Sequence, residues 1–273
     1  MPDTLAQVRH DLAVANRIIA HEGVLDAFGH VSVRHPGDPG RYLLSRSRGP
    51  ELVQASDILE FTLDSEPVVP PTARLYSERV IHGCIYQARP EVVAVCHHHA
   101  PAIMPYCIAG VPLAPVFHLG ATMGAMAPFW DSRDEFGDTN LLVVKPEEGR
   151  SLARALGPHW MVLMRRHGAT VVGRSLQELV FRTIYSCRNA DLQSRAQALG
   201  TIGPLTPGEI ELASSHNLQP GPVMRAYEYW TVRLEKAEAM VAPARQAPAA
   251  RAKAKPARAT PKKSAKAKRR KSR

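Results

Sequence analysis

The stretch Val92-Val93-Ala94-Val95-Cys96-His97-His98-His99-Ala100-Pro101 decides the reading of this chain. Val92 to Val95 is a short apolar run of the kind that forms a buried strand. Side chains alternate faces along a strand, so His97 and His99 point one way and His98 the other. Two imidazoles on one face at a strand end offer an edge to a divalent metal. Cys96 faces away from both and is excluded as a ligand. A third imidazole follows a second apolar strand, in Met161-Val162-Leu163-Met164-Arg165-Arg166-His167-Gly168, and Glu78 offers a carboxylate upstream. Three nitrogens with one open position is the arrangement of a catalytic metal site, whereas structural sites are usually closed by four protein ligands.

The rest of the composition frames that site. With 273 residues and ordinary apolar content, the chain is long enough for one substantial domain. Its net charge of +10 is unevenly spread: 13 Lys/Arg and no Asp or Glu lie between Arg245 and Arg273. That leaves 22 of the 35 basic residues against all 25 acidic ones in 1–244, a net of −3. We therefore expect a mildly acidic catalytic domain over 1–241 and a basic Ala/Lys/Pro tail over 242–273. The tail has no aromatic residue and little apolar side chain beyond Ala, so it cannot offset its ordering entropy and is expected to be disordered. It carries no stacking or base-reading element, so any binding to polyanions is weak and no specific nucleic-acid partner is expected. The N-terminus lacks an apolar signal region and no window approaches a membrane span, so no membrane partner is expected. Cys84, Cys96, Cys107 and Cys187 show no Cys-x-x-Cys spacing and sit in apolar stretches. They read as buried free thiols, which points to a reducing cytoplasm.

Periodicity predicts a helix from Leu5 to about Glu22, capped by Asp3 or Thr4, then strands His30–Arg34 and Tyr42–Ser45 and a short strand after Ile58. A helix over Ser77–Ala88 would put Glu78 and His82 one turn apart on the same face. A helix near Ala100–Ala109 follows the histidine strand. Further strands are predicted at Leu141–Val144, Met161–Arg165 and Ala169–Val172, and helices over Gly149–Leu156, Ser175–Leu199, Pro207–Ser215 and Pro222–Met240. No Gly-rich phosphate fingerprint or Walker A motif appears, which argues against a nucleotide enzyme.

Three ordered motifs, Ser77-Glu78-(x)3-His82, Arg89-Pro90-(x)3-Ala94-Val95-Cys96-His97-His98-His99-Ala100-Pro101, and Arg166-His167-Gly168-(x)3-Val172-Gly173-Arg174-Ser175-Leu176, resemble the class II aldolase/adducin family. The resemblance covers most of residues 5–230. It implies an α/β fold, a three-layer α/β/α domain around a largely antiparallel central sheet. It also implies a homotetramer with active sites at subunit interfaces and one divalent ion per subunit (Zn, Mn, Co or Fe). By position His97, His99 and His167 match the metal ligands, Glu78 the catalytic acid/base, and His98 a variable position. The same fold also occurs in adducin-like proteins that have lost catalysis, but this chain retains the full His/His/His/Glu set, which favours the catalytic reading.

Departures from the sugar-phosphate pattern indicate the subtype. The Gly-Asn-x-Ser segment of those aldolases reads Gly29-His30-Val31-Ser32 here, and their Thr-x-x-Gly loop has become Ser45-Arg46-Ser47-Arg48-Gly49-Pro50-Glu51-Leu52-Val53. Guanidinium groups bind carboxylates bidentately, although one or both could instead solvate the surface or pair with Glu51. With Pro115-Val116-Phe117-His118 and Arg133-(x)3-Gly137-Asp138, the loop looks like the decarboxylase branch, whose members act on hydroxylated aromatic or pyridine dicarboxylates such as dihydroxyphthalate. The expectation is a metal-dependent carbon–carbon lyase of aromatic catabolism, with Arg46, Ser47, Arg48, His30 and His118 at a small-molecule carboxylate substrate. The alternative is a metal-dependent aldolase or epimerase on a hydroxy-carbonyl or sugar-acid substrate.

Overall fold

Alternation along the histidine strand splits the core in two, and the split positions the site. The computed structural model describes residues 4–246. In chain order the elements are α1 (Leu5–His21), β1 (His30–Arg34), β2 (Arg41–Ser45), β3 (Ile58–Thr62), α2 (Val80–Ala88), β4 (Ala94–His98), α3 (Met104–Ala109) and β5 (Phe129–Trp130). There follow α4 (Arg133–Phe136), α5 (Pro146–Leu156), β6 (Met161–Met164), β7 (Gly168–Gly173), α6 (Leu176–Gln197), α7 (Pro207–Asn217) and α8 (Pro220–Gln246). One sheet of seven strands runs β3-β2-β1-β4-β7-β6-β5. Every neighbouring pair is antiparallel except β5 with β6, so the expected α/β architecture is found.

Ala94 and Cys96 of β4 pack with Leu12 and Ile18 of α1, Val180 and Ile184 of α6, and Trp230 of α8. Val95 packs on the other side with Ile81 and Ile85 of α2 and Leu152 and Leu156 of α5. Burying each such large apolar side chain contributes about 1.5–3 kcal/mol, which holds both helix layers onto the sheet. His97 shares the parity of Val95 and faces the α2/α5 layer; His98 shares that of Cys96. The direction of the strands matters equally. β2, β4 and β6 run the same way, so Ser45, His98 and Met164 all end at one edge of the molecule, where β1 and β7 begin. The arginine loop, the histidines and His167 thus leave the sheet together.

Local chemistry sets the helix starts. Thr4 caps α1, its hydroxyl accepting the Gln7 N–H at 3.2 Å, and Ser175 caps α6 through the Glu178 N–H at 3.0 Å. At Gly149 of α5 a Cβ would lie 2.8 Å from Cys84 Sγ and 3.0 Å from the Val80 carbonyl, so this glycine permits the close approach of α5 to α2.

Several expected boundaries move. The histidine strand starts later and continues through His98, because His97 pairs with His30 on β1 and with Thr170 on β7. Residues Ser77–Arg79 form a 3-10 turn, kinked at Glu78 (φ −90°, ψ 16°), so the expected single helix begins only at Val80. Leu141–Val144 is not a strand. Leu141 sits at φ 68°, and the N–H groups of Val143 and Val144 donate to Glu78 Oε1 (3.0 Å) and Glu148 Oε2 (2.9 Å) instead of a ladder. The edge place goes to Phe129–Trp130. α5 starts at Pro146 because Glu148 caps it, accepting the Lys145 N–H at 3.0 Å. α8 runs on to Gln246, past the expected boundary at 241, even though Pro243 lies in that last stretch. The remainder of the expected tail lies outside the described residues. All four cysteines are buried and free. No helix among the described residues is long and apolar enough to cross a membrane.

Candidate metal centre

Four side chains from three separate places converge at the edge where β4 and β6 end. His97 and His99 come from the end of β4, His167 from the β6–β7 turn, and Glu78 from the turn before α2. One ligand atom from each lies within 4.8 Å of every other. His97 Nε2 is 3.0 Å from His99 Nε2, His167 Nε2 is 3.5 Å from Glu78 Oε1, and His97 Nε2 is 3.8 Å from Glu78 Oε2.

The backbone enforces this convergence. At Gly168, which opens β7, a Cβ would clash with the His98 carbonyl and lie 2.9 Å from His99 Cδ2. Gly29, at φ 85°, opens β1, and a Cβ there would lie 2.9 Å from the His97 carbonyl and 2.5 Å from Leu25 Cδ2. Arg166, at φ 53°, turns the chain so that its N–H donates to the Cys107 carbonyl at 2.8 Å and His167 swings towards Glu78.

Burial, then the neighbouring His167, His30 and other imidazoles, push His97 well below the ordinary histidine value. Burial and His167 also lower His99, against the opposing pull of Glu78 and Asp26. Both imidazoles are therefore held neutral, the form that binds metal. Neutral nitrogens 3.0 Å apart must either share one proton or turn lone pairs on each other. A divalent ion satisfies that arrangement together with the carboxylate, so the donor set fits such an ion. His97 Nδ1 has a supporting partner in Thr170 Oγ1 at 3.3 Å, whereas His167 Nδ1 is buried without one.

The other sequence-predicted residues lie at varied removes. His30 is buried beside the cluster, its ring 5.3 Å from His97. Arg46 and Arg48 do not pair with Glu51. Both reach Asp57, Arg46 Nε at 2.7 Å and Arg48 Nη1 at 3.3 Å from its Oδ1. Burial alone would raise the Asp57 carboxyl, but the Gln54 N–H and the two guanidiniums outweigh it and hold the group below the usual carboxylate range. Ser47 is exposed, its N–H donating to the Arg74 carbonyl at 2.8 Å. His118 is apart from the cluster, with Asn217 Nδ2 of α7 3.2 Å from its Nε2.

Glu78 and His82 do not lie one turn apart on a single helix as expected, because Glu78 belongs to the kinked 3-10 turn before α2. His82 instead lies 2.6 Å from His30 Nδ1 and from Ser32 Oγ, and burial lowers it to about 3. Residues that the sequence reading missed are Tyr76, which donates to the Arg48 carbonyl and lies against His30 at 4.6 Å between centroids, along with Ser32, Thr170 and Asp57. Ser32 shares the strand parity of His30 and could have been read from it. Asp57 and Thr170 give no local signal, since their partners are set by strand pairing.

Over residues 10–194 the chain matches the Class II Aldolase and Adducin N-terminal domain. It is 35% identical over 240 residues to Decarboxylase tropJ of Talaromyces stipitatus, covering 80% of this chain and 90% of that protein. To the 3,4-dihydroxyphthalate decarboxylase of a Terrabacter species it is 31% identical over 225 residues, covering 79% and 92%. Among solved structures, L-fuculose 1-phosphate aldolase from Glaciozyma antarctica matches with a TM-score of 0.71 at 22% identity, covering 88% of this chain and 96% of that one, a likeness of fold. The chain belongs to the class II aldolase and adducin family.

Proposed function

We propose that this chain is a divalent-metal-dependent decarboxylase of a hydroxylated aromatic dicarboxylate of the dihydroxyphthalate kind. The observation that carries the reading is the convergence of His97, His99 and His167 on Glu78, in a chain whose relatives include enzymes named as decarboxylases. His97, His99 and His167 would hold the ion. A bound divalent ion supplies Lewis-acid chemistry, drawing electron density towards a ring oxygen next to the leaving carboxylate.

The chain's own residues do the rest. Decarboxylation breaks the bond between ring carbon and carboxyl carbon, leaves the electron pair on the ring and requires a proton in place of carbon dioxide. Glu78 Oε1 is pinned by the Val143 N–H at 3.0 Å, while Oε2 has no hydrogen-bond partner among the described residues. Oε2 is the atom we assign to carry that proton. The second carboxylate of the substrate fits the Arg46–Ser47–Arg48 loop, where two guanidiniums share one Asp57 carboxylate and leave one positive charge in excess. The reading includes a homotetramer with interfacial sites, which would bring His118 to a neighbouring subunit's substrate. Exposed Phe28, two residues before His30, and exposed Ile108 support association.

The experiment is a carboxylate screen on the metal-loaded chain, following carbon dioxide. Release from a dihydroxyphthalate supports the proposal. Aldehyde release from a sugar phosphate or sugar acid, without carbon dioxide, replaces it with the aldolase or epimerase alternative.

A further inference from the structure

Behind the metal centre, four buried side chains form an unbroken hydrogen-bonded chain. His30 Nδ1 lies 2.6 Å from His82 Nε2, His82 Nδ1 lies 2.6 Å from Ser32 Oγ, and Ser32 Oγ lies 2.8 Å from Tyr86 OH. None of the four is more than 3% exposed. His30 and Ser32 share one face of β1, and His82 and Tyr86 lie one turn apart on α2, so two rigid elements fix all three contacts.

Each link holds one proton, and if Ser32 accepted from both His82 and Tyr86 its own buried hydroxyl proton would have no acceptor among the described residues, so the chain runs head to tail in one of two orders. In the outward order Tyr86 donates to Ser32, Ser32 to His82 Nδ1, and His82 Nε2–H to His30 Nδ1, so His30 carries its own proton on Nε2. In the inward order every bond reverses, and the Tyr86 proton must go to the Val93 carbonyl. That oxygen is 3.4 Å away and already accepts the Arg34 N–H at 2.7 Å. A hydroxyl bond is ordinarily about 2.5–3.0 Å long, so the inward order leaves a buried donor poorly satisfied. The outward order places every donor within 2.8 Å of its acceptor.

We infer that His82, Ser32 and Tyr86 lock His30 in its Nε2–H tautomer, so that His30 offers a hydrogen-bond donor to an anionic oxygen of a ligand at the metal centre. The His30 ring stands 5.3 Å from His97 and 4.6 Å from Tyr76, and its Nε2 has no partner among the described residues. A neutral donor there recognises a carboxylate or phenolate oxygen without adding a second positive charge beside a dication. His82, Ser32 and Tyr86 are positioning residues, since they act through His30. The ligand class rests on the decarboxylase reading; the tautomer rests on the hydrogen-bond geometry.

Histidine labelled with 15N in the full-length chain reports the tautomer directly from ring-nitrogen shifts, with His82→Gln assigning the His82 signals. Protonated Nε2 and bare Nδ1 in both rings is the expected result; protonated Nδ1 in both overturns the proposal whatever the substrate. Ser32→Ala removes the donor to His82 and should raise KM for the carboxylate substrate about tenfold, with a smaller change in kcat and unchanged metal content. His82→Gln can still accept from Ser32 and donate to His30, and should keep kcat/KM within about threefold, whereas His82→Leu should lose about tenfold to a hundredfold. A folded, metal-loaded His82→Leu with unchanged kcat/KM also overturns the proposal. Absence of carbon dioxide release by the wild-type chain sinks the decarboxylase reading alone, because the spectra still decide the tautomer.

Discussion

The arginine loop after β2 and the histidines after β4 leave the same edge of one sheet, yet the fold treats their charges in opposite ways. Arg46 and Arg48 are answered from within, by an Asp57 carboxylate at 2.7 Å and 3.3 Å. Among the described residues the histidines meet opposite charge at close range in Glu78, whose own Oε1 is already engaged by Val143, with Asp26 a further pull on His99. Neutral imidazole nitrogens are left facing each other at 3.0 Å. Groups that a protein satisfies internally hold structure; groups that it gathers and leaves unsatisfied are available to a ligand. On that criterion the histidines are the groups open to a ligand, whereas the arginines hold structure with Asp57, and the substrate contact proposed for them would have to share their charge with that carboxylate.

The strongest way to break the contrast is at a ligand. His99→Ala should strip the ion and reduce turnover below detection while leaving the fold intact, because His99 is only partly buried and packs no core. Metal analysis and circular dichroism check it; a variant that retains stoichiometric metal and full rate removes His99 from the centre. Next in size is Glu78→Gln, expected to keep the metal and lower kcat by about 10²–10⁴, the range for a lost general acid. An unchanged rate would exclude Glu78 from proton transfer.

The arginine loop should give a smaller effect that depends on the substrate. Arg48→Ala, which releases the longer of the two contacts to Asp57, should lower kcat/KM for a dicarboxylate by about ten- to a hundredfold. The loss should shrink for an analogue without the second carboxylate, and equal losses on both would show that Arg48 does not recognise it. The smallest effect on catalysis, and a clear one on stability, is expected from Asp57→Asn. Deleting this buried charge partner should cost about 1–3 kcal/mol at neutral pH. The Asp57 carboxyl is held below its unfolded value, so its contribution is present above the unfolded value of about 3.9 and is lost as pH falls through the folded one. Urea midpoints of wild type and variant should differ at pH 7 and converge towards pH 3. A constant gap would show that the pairing adds nothing to folding.

What the sequence revealed divides along the same line. Strand parity and an apolar run were enough to place His97 and His99 together, since a period of two is a local property. The largely antiparallel sheet was expected from the family resemblance of the three motifs, not from periodicity. The arginines' partner was not legible, because Asp57 meets them through the β2–β3 pairing and no spacing rule connects them. The kink at Glu78 was likewise hidden, since the partner that holds its carboxylate, the N–H of Val143, lies far along the chain. Leu141–Val144 misled for a related reason. Its apolar residues look like a strand, but its backbone donors are used by two carboxylates that periodicity cannot see.

The two glycines that open β1 and β7 have a consequence for how such a centre drifts. Gly29 and Gly168 touch the backbone of His97 and His98 from opposite sides, and neither has room for a single methyl group. Gly29→Ala or Gly168→Ala would therefore move the imidazoles without altering their chemistry, and metal affinity becomes adjustable from two positions that bind nothing. In a lineage where either glycine is replaced, the histidines and the glutamate can persist unchanged in the sequence after the ion they would hold has been lost.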